Sequence, residues 1–227
     1  MALEFTFDPI TQRYRYKDSG KFVGKEAIRN LTQKAINQVT ADINIIADLL
    51  IQRKITIATW EETTAKALKN LYTWNFTLGA GGINNLGARE YGVLGAELKR
   101  QYQHLRNFAE ELRQGKITEA QFRARVQMYV QGARNTFERG RTEAHSKSGY
   151  RWEKRKRTKT DSCPECISYE ARGWQPINTL PNPGMECRCR ARCGCFKEFS
   201  KDAAKPADML QSRWGWVGSL KQKFKAC

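Results

Sequence analysis

The stretch Cys163 to Cys195 constrains this chain more than any other, because it carries six of the seven cysteines within one short segment. A knuckle, Cys163-Pro-Glu-Cys166, is followed by a second cluster at Cys187, Cys189, Cys193 and Cys195. A two-residue gap lets both thiolates of one turn face the same ion, and about twenty intervening residues suffice for a small hairpin to return the second cluster. An all-thiolate tetrahedral set suits zinc, whose bonds to sulfur need no redox chemistry from the protein. Spacing alone does not say which thiol of each Cys-x-Cys pair binds.

The remainder of the chain reads as helical with a short β start. Thr11 to Val23 alternates Tyr14 and Tyr16 with Arg13, Arg15 and Lys17, turns at Asp18-Ser19-Gly20 and ends on Lys21-Phe22-Val23, a hairpin pattern. Two uses of such a hairpin are open, a docking arm or a support that packs its tyrosines on the helices behind it. From Lys25 the period becomes helical, with Ile28, Leu31, Ala35, Val39, Ile43, Ile46 and Leu50 on one stripe. A second helix starts after Ile55-Thr56, capped by Thr56 or Thr59, and ends at Gly79-Ala80-Gly81-Gly82. No Lys-Ser/Thr follows those glycines at phosphate-loop spacing, so they read as a hinge.

Two more helices follow, Leu86 to Leu112 and Ile117 to beyond Phe137, separated by Gln114-Gly115-Lys116. The frame Leu…Lys-Ile-Thr recurs at Leu50 to Thr56 and Leu112 to Thr118, with Trp60 and Phe122 a few residues on. Each copy marks a tight helix-to-helix turn with a threonine cap, which lays the chain out as two helical hairpins. The predicted fold is mainly α: a helical-hairpin body with an N-terminal β-hairpin and a small C-terminal zinc-stabilised α/β appendage. Its predicted parts are an arm over 1–24, a helical body over 25–148, the cysteine-rich appendage over 149–200 and a basic aromatic tail over 201–227.

Charge narrows the partners. Lys and Arg number 40 against 23 Asp and Glu, a net +17, which favours a polyanion such as nucleic acid, an acidic protein surface or an anionic membrane. The basic run Arg151, Lys154, Arg155, Lys156 and Arg157 beside the knuckle is a candidate phosphate or partner surface, or a solvated strand. Trp214 and Trp216, among the lysines of the tail, are candidate anchors for a pocket on a partner. No apolar run is long enough to span a membrane and no secretory signal opens the chain, so a soluble intracellular setting with reduced thiols is expected. Histidines are limited to His104 and His145, which gives acid–base catalysis little to work with, and no catalytic residue is assigned.

Arg141-Thr142-Glu143 near a helix end, Trp152 on a strand, the knuckle Asp161, Cys163, Pro164, Cys166, and the closing Pro183, Cys187, Arg188, Cys189 together resemble the phage minor head protein family. These are the head-morphogenesis proteins similar to the F protein of phage Mu, and the resemblance covers roughly residues 131–199. It implies a virion structural protein, present in several copies per particle, that touches portal or capsid proteins of a phage head. The same resemblance implies contact with packaged DNA, and a life in the host cytoplasm during assembly. Many such relatives carry a His three residues before the Cys-Arg-Cys, where this chain has Gly184. Extra thiols later in the segment substitute for it, so the expected zinc set is Cys163, Cys166, Cys187 and Cys193, with Cys189 and Cys195 as alternates. A capsid cement protein, a non-specific nucleic-acid-binding zinc protein and a transferase or toxin-like enzyme are the other classes left open.

Overall fold

In the computed structural model, residues 5–190 and 193–202 are described. They form two compact units that divide after Ser148. The first contains strands β1 (Phe5–Asp8) and β2 (Arg13–Tyr16) and helices α1 (Lys25–Ile51), α2 (Ile57–Gly79), α3 (Ala88–Arg113) and α4 (Glu119–Lys147). The second contains β3 (Trp152–Lys156), α5 (Pro164–Ala171), β4 (Gln175–Pro176) and β5 (Phe196–Ser200). Among the described residues, no helix is long and apolar enough to cross a membrane.

The helical unit follows its caps. The Thr56 side chain accepts from the Thr59 N–H at 3.1 Å and opens α2. Thr118 opens α4 in a capping box, accepting from the Gln121 N–H at 3.3 Å while Gln121 accepts from the Thr118 N–H at 3.0 Å. The two aromatics that follow these caps meet in the core, Trp60 and Phe122 having ring centroids 5.2 Å apart with Phe108 against both. On α1 the fully buried line is Ile28, Thr32, Ile36, Ile43 and Ala47. Ile28 and Ile43 of the sequence stripe lie on this line, while Ala35, Val39, Ile46 and Leu50 are partly buried and pack at the edge of the core.

Helix α2 is the centre of the unit and packs most extensively on α4. Two glycines make this crossing possible. A Cβ on Gly79 would stand 2.1 Å from the Phe137 carbonyl oxygen, and one on Gly140 would stand 2.2 Å from that of Phe76. Past the end of α2 the chain turns through Gly81 and Gly82, both at positive φ, into a single 3-10 turn at Ile83–Asn85.

The N-terminal hairpin differs from its expected pairing. The strand at Arg13–Tyr16 pairs along its length with Phe5–Asp8, and the expected return is shorter, an Arg15–Phe22 bridge flanked by the Tyr16 N–H to the Lys21 carbonyl at 2.9 Å and the Val23 N–H to the Tyr14 carbonyl at 2.8 Å. Phe5 and Phe7 alternate in register with Tyr16 and Tyr14, which gives this pairing the larger aromatic contact. Tyr14 is buried and donates its hydroxyl to the Leu78 carbonyl at 2.7 Å, so the hairpin lies on the helices of its own unit.

The second unit is a three-stranded antiparallel sheet in the order β4-β3-β5, with α5 packed on β3. Strand β3 alternates, with Glu153 and Arg155 buried and Trp152, Lys154 and Lys156 half-buried. Inside, Lys197 donates to Glu153 at 2.9 Å and to the Leu180 carbonyl at 2.7 Å, and Glu153 accepts the Leu180 N–H at 2.7 Å. Every charge of that pair has a partner, which burial of ions requires.

Candidate metal centre

The cysteines reach one another from the start of α5, from the loop at Cys187 and Cys189, and from the chain just before β5. Cys163 is the N-cap of α5, Pro164 takes the first helical position, and Cys166 follows within the first turn. The knuckle is thus a helix start, and the return path runs through α5 and β4 where a small hairpin was expected. Cys187 and Cys189 sit on turns closed by the Arg190 N–H to the Cys187 carbonyl at 3.0 Å and the Cys193 N–H to the Arg190 carbonyl at 3.0 Å. Arg188 ties this loop back to the helix through Glu165 at 2.9 Å.

Four sulfurs, of Cys163, Cys166, Cys187 and Cys189, all lie within 4.8 Å of one another and could hold a metal ion. A second group, Cys166, Cys193 and Cys195, meets the same spacing. Cys189 therefore completes the set around the knuckle, and Cys193 stands beside Cys166 in the second group. Cys166, Cys187, Cys193 and Cys195 are buried, whereas Cys163 and Cys189 are half-buried. With Cys195, those two line a cleft of about 370 Å³ that gives an ion a path in.

Gly184 stands where the resemblance led to the expectation of a His. It has φ 92 in the turn that leads to Cys187, a conformation that an L side chain adopts only under strain. The thiols supply the donors that this position does not.

Arg155 is the residue that spacing did not reveal. Expected on a phosphate-facing surface, it is instead fully buried under the cluster. Its Nη2 lies 3.8 Å from Cys166 Sγ, 3.8 Å from Cys187 Sγ and 3.5 Å from Cys193 Sγ, while Nη1 donates to the Pro181 carbonyl at 2.9 Å. The guanidinium also lies over the Tyr169 ring, 5.0 Å from its centroid. A fixed cation against several sulfurs offsets the excess negative charge of a thiolate-rich site. Period-two alternation on β3 was the available signal, since it sends Arg155 to the same face as Glu153.

Ionisation of the thiols reflects this crowding. Burial pushes the Cys166 thiol strongly up, and the surrounding cysteines add to the shift. Burial acts against ionisation of Cys193 too, but the Cys195 N–H and the Arg155 guanidinium outweigh it and hold Cys193 below the usual thiol range. Cys163 is likewise lowered, burial being outweighed by the Cys166 N–H and the Cys189 thiol. A divalent cation relieves such mutual repulsion by replacing protons, which makes metal uptake pH-dependent.

The remaining basic candidates spread out. Arg151 is exposed and Lys156 half-buried. Lys154 pairs with Glu198 at 3.5 Å and lies 4.6 Å from the Trp174 ring centroid. Arg157 is bound to Glu170 through both its side chain and its backbone N–H. Trp214 and Trp216 lie outside the described residues. In the helical unit, the Arg141-Thr142-Glu143 segment is structural in its contacts: Glu143 is buried with Arg89 at 3.2 Å and Arg139 at 3.3 Å, and Thr142 donates to the Glu138 carbonyl.

Comparison with protein-family models, with curated proteins and with solved structures finds no match for this chain. What the fold and the site define is a mainly helical protein whose C-terminal unit is built around a buried cysteine cluster able to hold a metal ion.

Proposed function

We propose that this chain is a virion structural protein of a phage, a minor head protein that sits at the portal vertex and acts in head morphogenesis. The observation that carries this reading is the convergence of its motif: the Cys-Pro-x-Cys knuckle and the Cys-Arg-Cys, far apart in sequence, contribute all four thiols of one set. The motif's cysteines act together, as a structural centre requires. Zinc is the proposed ion, since four thiolates form a closed tetrahedral shell that leaves no position for a reacting water. On this reading the centre holds a small unit together and does no chemistry.

The +17 charge supports contact with packaged DNA through phosphates, without base reading and with steep loss as salt rises. Within the sheet unit, Arg151 and Lys156 are the members of the basic run left to offer charge outward, because Arg155 serves the thiols and Arg157 serves Glu170. Quantitative mass spectrometry of density-purified particles tests the proposal by counting copies of this chain per major capsid subunit. A ratio on the scale of a portal ring is expected. A ratio equal to that of the capsid subunit identifies a cement protein, and absence from particles refutes a virion role.

A further inference from the structure

We infer that the cysteine cluster is a two-ion centre in which Cys166 is a thiolate shared between two divalent, thiophilic cations. This deepens the metal-binding reading and rests on it. The first ion takes Cys163, Cys166, Cys187 and Cys189, the four-sulfur set. The second takes Cys193 and Cys195 with Cys166, the only thiol that belongs to both groups.

Distances support the sharing. A metal–sulfur bond of about 2.3 Å places two thiolates of one tetrahedron about 3.8 Å apart. Cys166 and Cys193 are 3.7 Å apart, the edge of such a tetrahedron, although Cys193 is outside the four-sulfur set. Were the four-sulfur set the whole site, two buried thiols, Cys193 and Cys195, would be packed against it with no ion to bind. Arg155 Nη2 lies near sulfurs of both groups, 3.8 Å from Cys166 and from Cys187 and 3.5 Å from Cys193, so the two groups meet at one buried guanidinium. Six thiolates around two divalent ions leave a net charge of −2, and Arg155 is the one buried cation that touches the sulfurs among the described residues. The guanidinium therefore lies against the shared Cys166 thiolate, where the two groups meet.

The test is the metal content of the full chain, purified under reducing conditions and loaded with zinc, read by elemental mass spectrometry against protein concentration. Two ions per chain are expected, falling to one in the double variant Cys193→Ser/Cys195→Ser. One ion in the unaltered chain overturns the two-ion centre and leaves single-ion binding standing, whereas none overturns both. Two ions retained in the double variant also overturn the assignment. Because the variant can lose its fold, the unaltered chain is also loaded with cadmium-113. Two resonances that both correlate with the Cys166 β-protons are expected, and two resonances without a common cysteine refute the shared thiolate.

Discussion

Replacing Gly140 by Ala adds one methyl group at the crossing of α2 and α4, and its cost follows from what that methyl meets. The new carbon would stand 2.2 Å from the Phe76 carbonyl oxygen, 3.0 Å from the Ala80 nitrogen and 3.1 Å from the Phe76 carbonyl carbon. All three are backbone atoms of α2 or its C-cap, so no side chain can rotate away and the two helices must part by about 1 Å to restore contact distances. Overpacking of this kind costs about 1–3 kcal/mol, and a rigid neighbour places it at the upper end. Alanine recovers about 1 kcal/mol of helix propensity, which leaves a net loss of about 2 kcal/mol. Gly79→Ala meets the Phe137 carbonyl at 2.1 Å and has the same sign. Since either change opens the same crossing, the double variant loses less than the sum of the two. Gly92→Ala and Gly95→Ala on α3 are the controls, because nothing lies within 4 Å of a Cβ at either position and propensity alone then stabilises. Urea unfolding followed by helical circular dichroism measures all four. A Gly140→Ala protein as stable as the Gly92→Ala control would refute the close-crossing argument.

Arg155→Lys keeps the charge but cannot span several sulfurs and the Pro181 carbonyl together, so zinc affinity should fall about 10- to 100-fold in a chelator competition; unchanged affinity removes Arg155 from the site's design. His145 is predicted to make the helical unit acid-sensitive. Burial and then the Arg141 charge lower its pKa from 6.5 to about 4, while Nδ1 donates to the Arg141 carbonyl at 2.7 Å. The unfolded chain therefore takes the proton first. Stability is intact above pH 6.5 and declines as pH falls toward 4, by about 3 kcal/mol in all, with no further loss from this group below that. His145→Gln should flatten the difference in urea midpoint between pH 7 and pH 4.5, and an unaltered slope would place the acid sensitivity elsewhere.

Periodicity and capping chemistry carried most of the helical unit: Thr56 and Thr118 open helices where their hydroxyls reach the third N–H, and Trp60 and Phe122 then meet in the core. Such signals are local. The pairing of α2 with α4 through Gly79 and Gly140 was not legible, because a glycine inside a helix marks a close approach only once its neighbour is known. The Phe5–Asp8 strand was missed because its connection, Pro9 to Gln12, holds none of the glycine turns that announce a hairpin, and Gln12 itself takes φ 54. The cysteine spacing showed that thiols would gather and left open which of them share an ion. Pro164 and Glu165 after Cys163 are a helix-start signal that the hairpin reading passed over. Arg155 was hidden for a physical reason: in a run of five basic residues out of seven, only the placement of the sulfurs distinguishes the inward cation from its neighbours.

The central claim is that a metal ion on the cysteine cluster holds the C-terminal unit folded while the helical unit stands without it. Hydrogen exchange by mass spectrometry, on the full chain with zinc and after removal of zinc by a strong chelator, tests it most directly. Chelation should abolish protection across β3, α5 and β5 and leave α1 to α4 protected, and added zinc should restore the pattern. Equal protection of β3, α5 and β5 before and after complete removal of the metal would contradict the account.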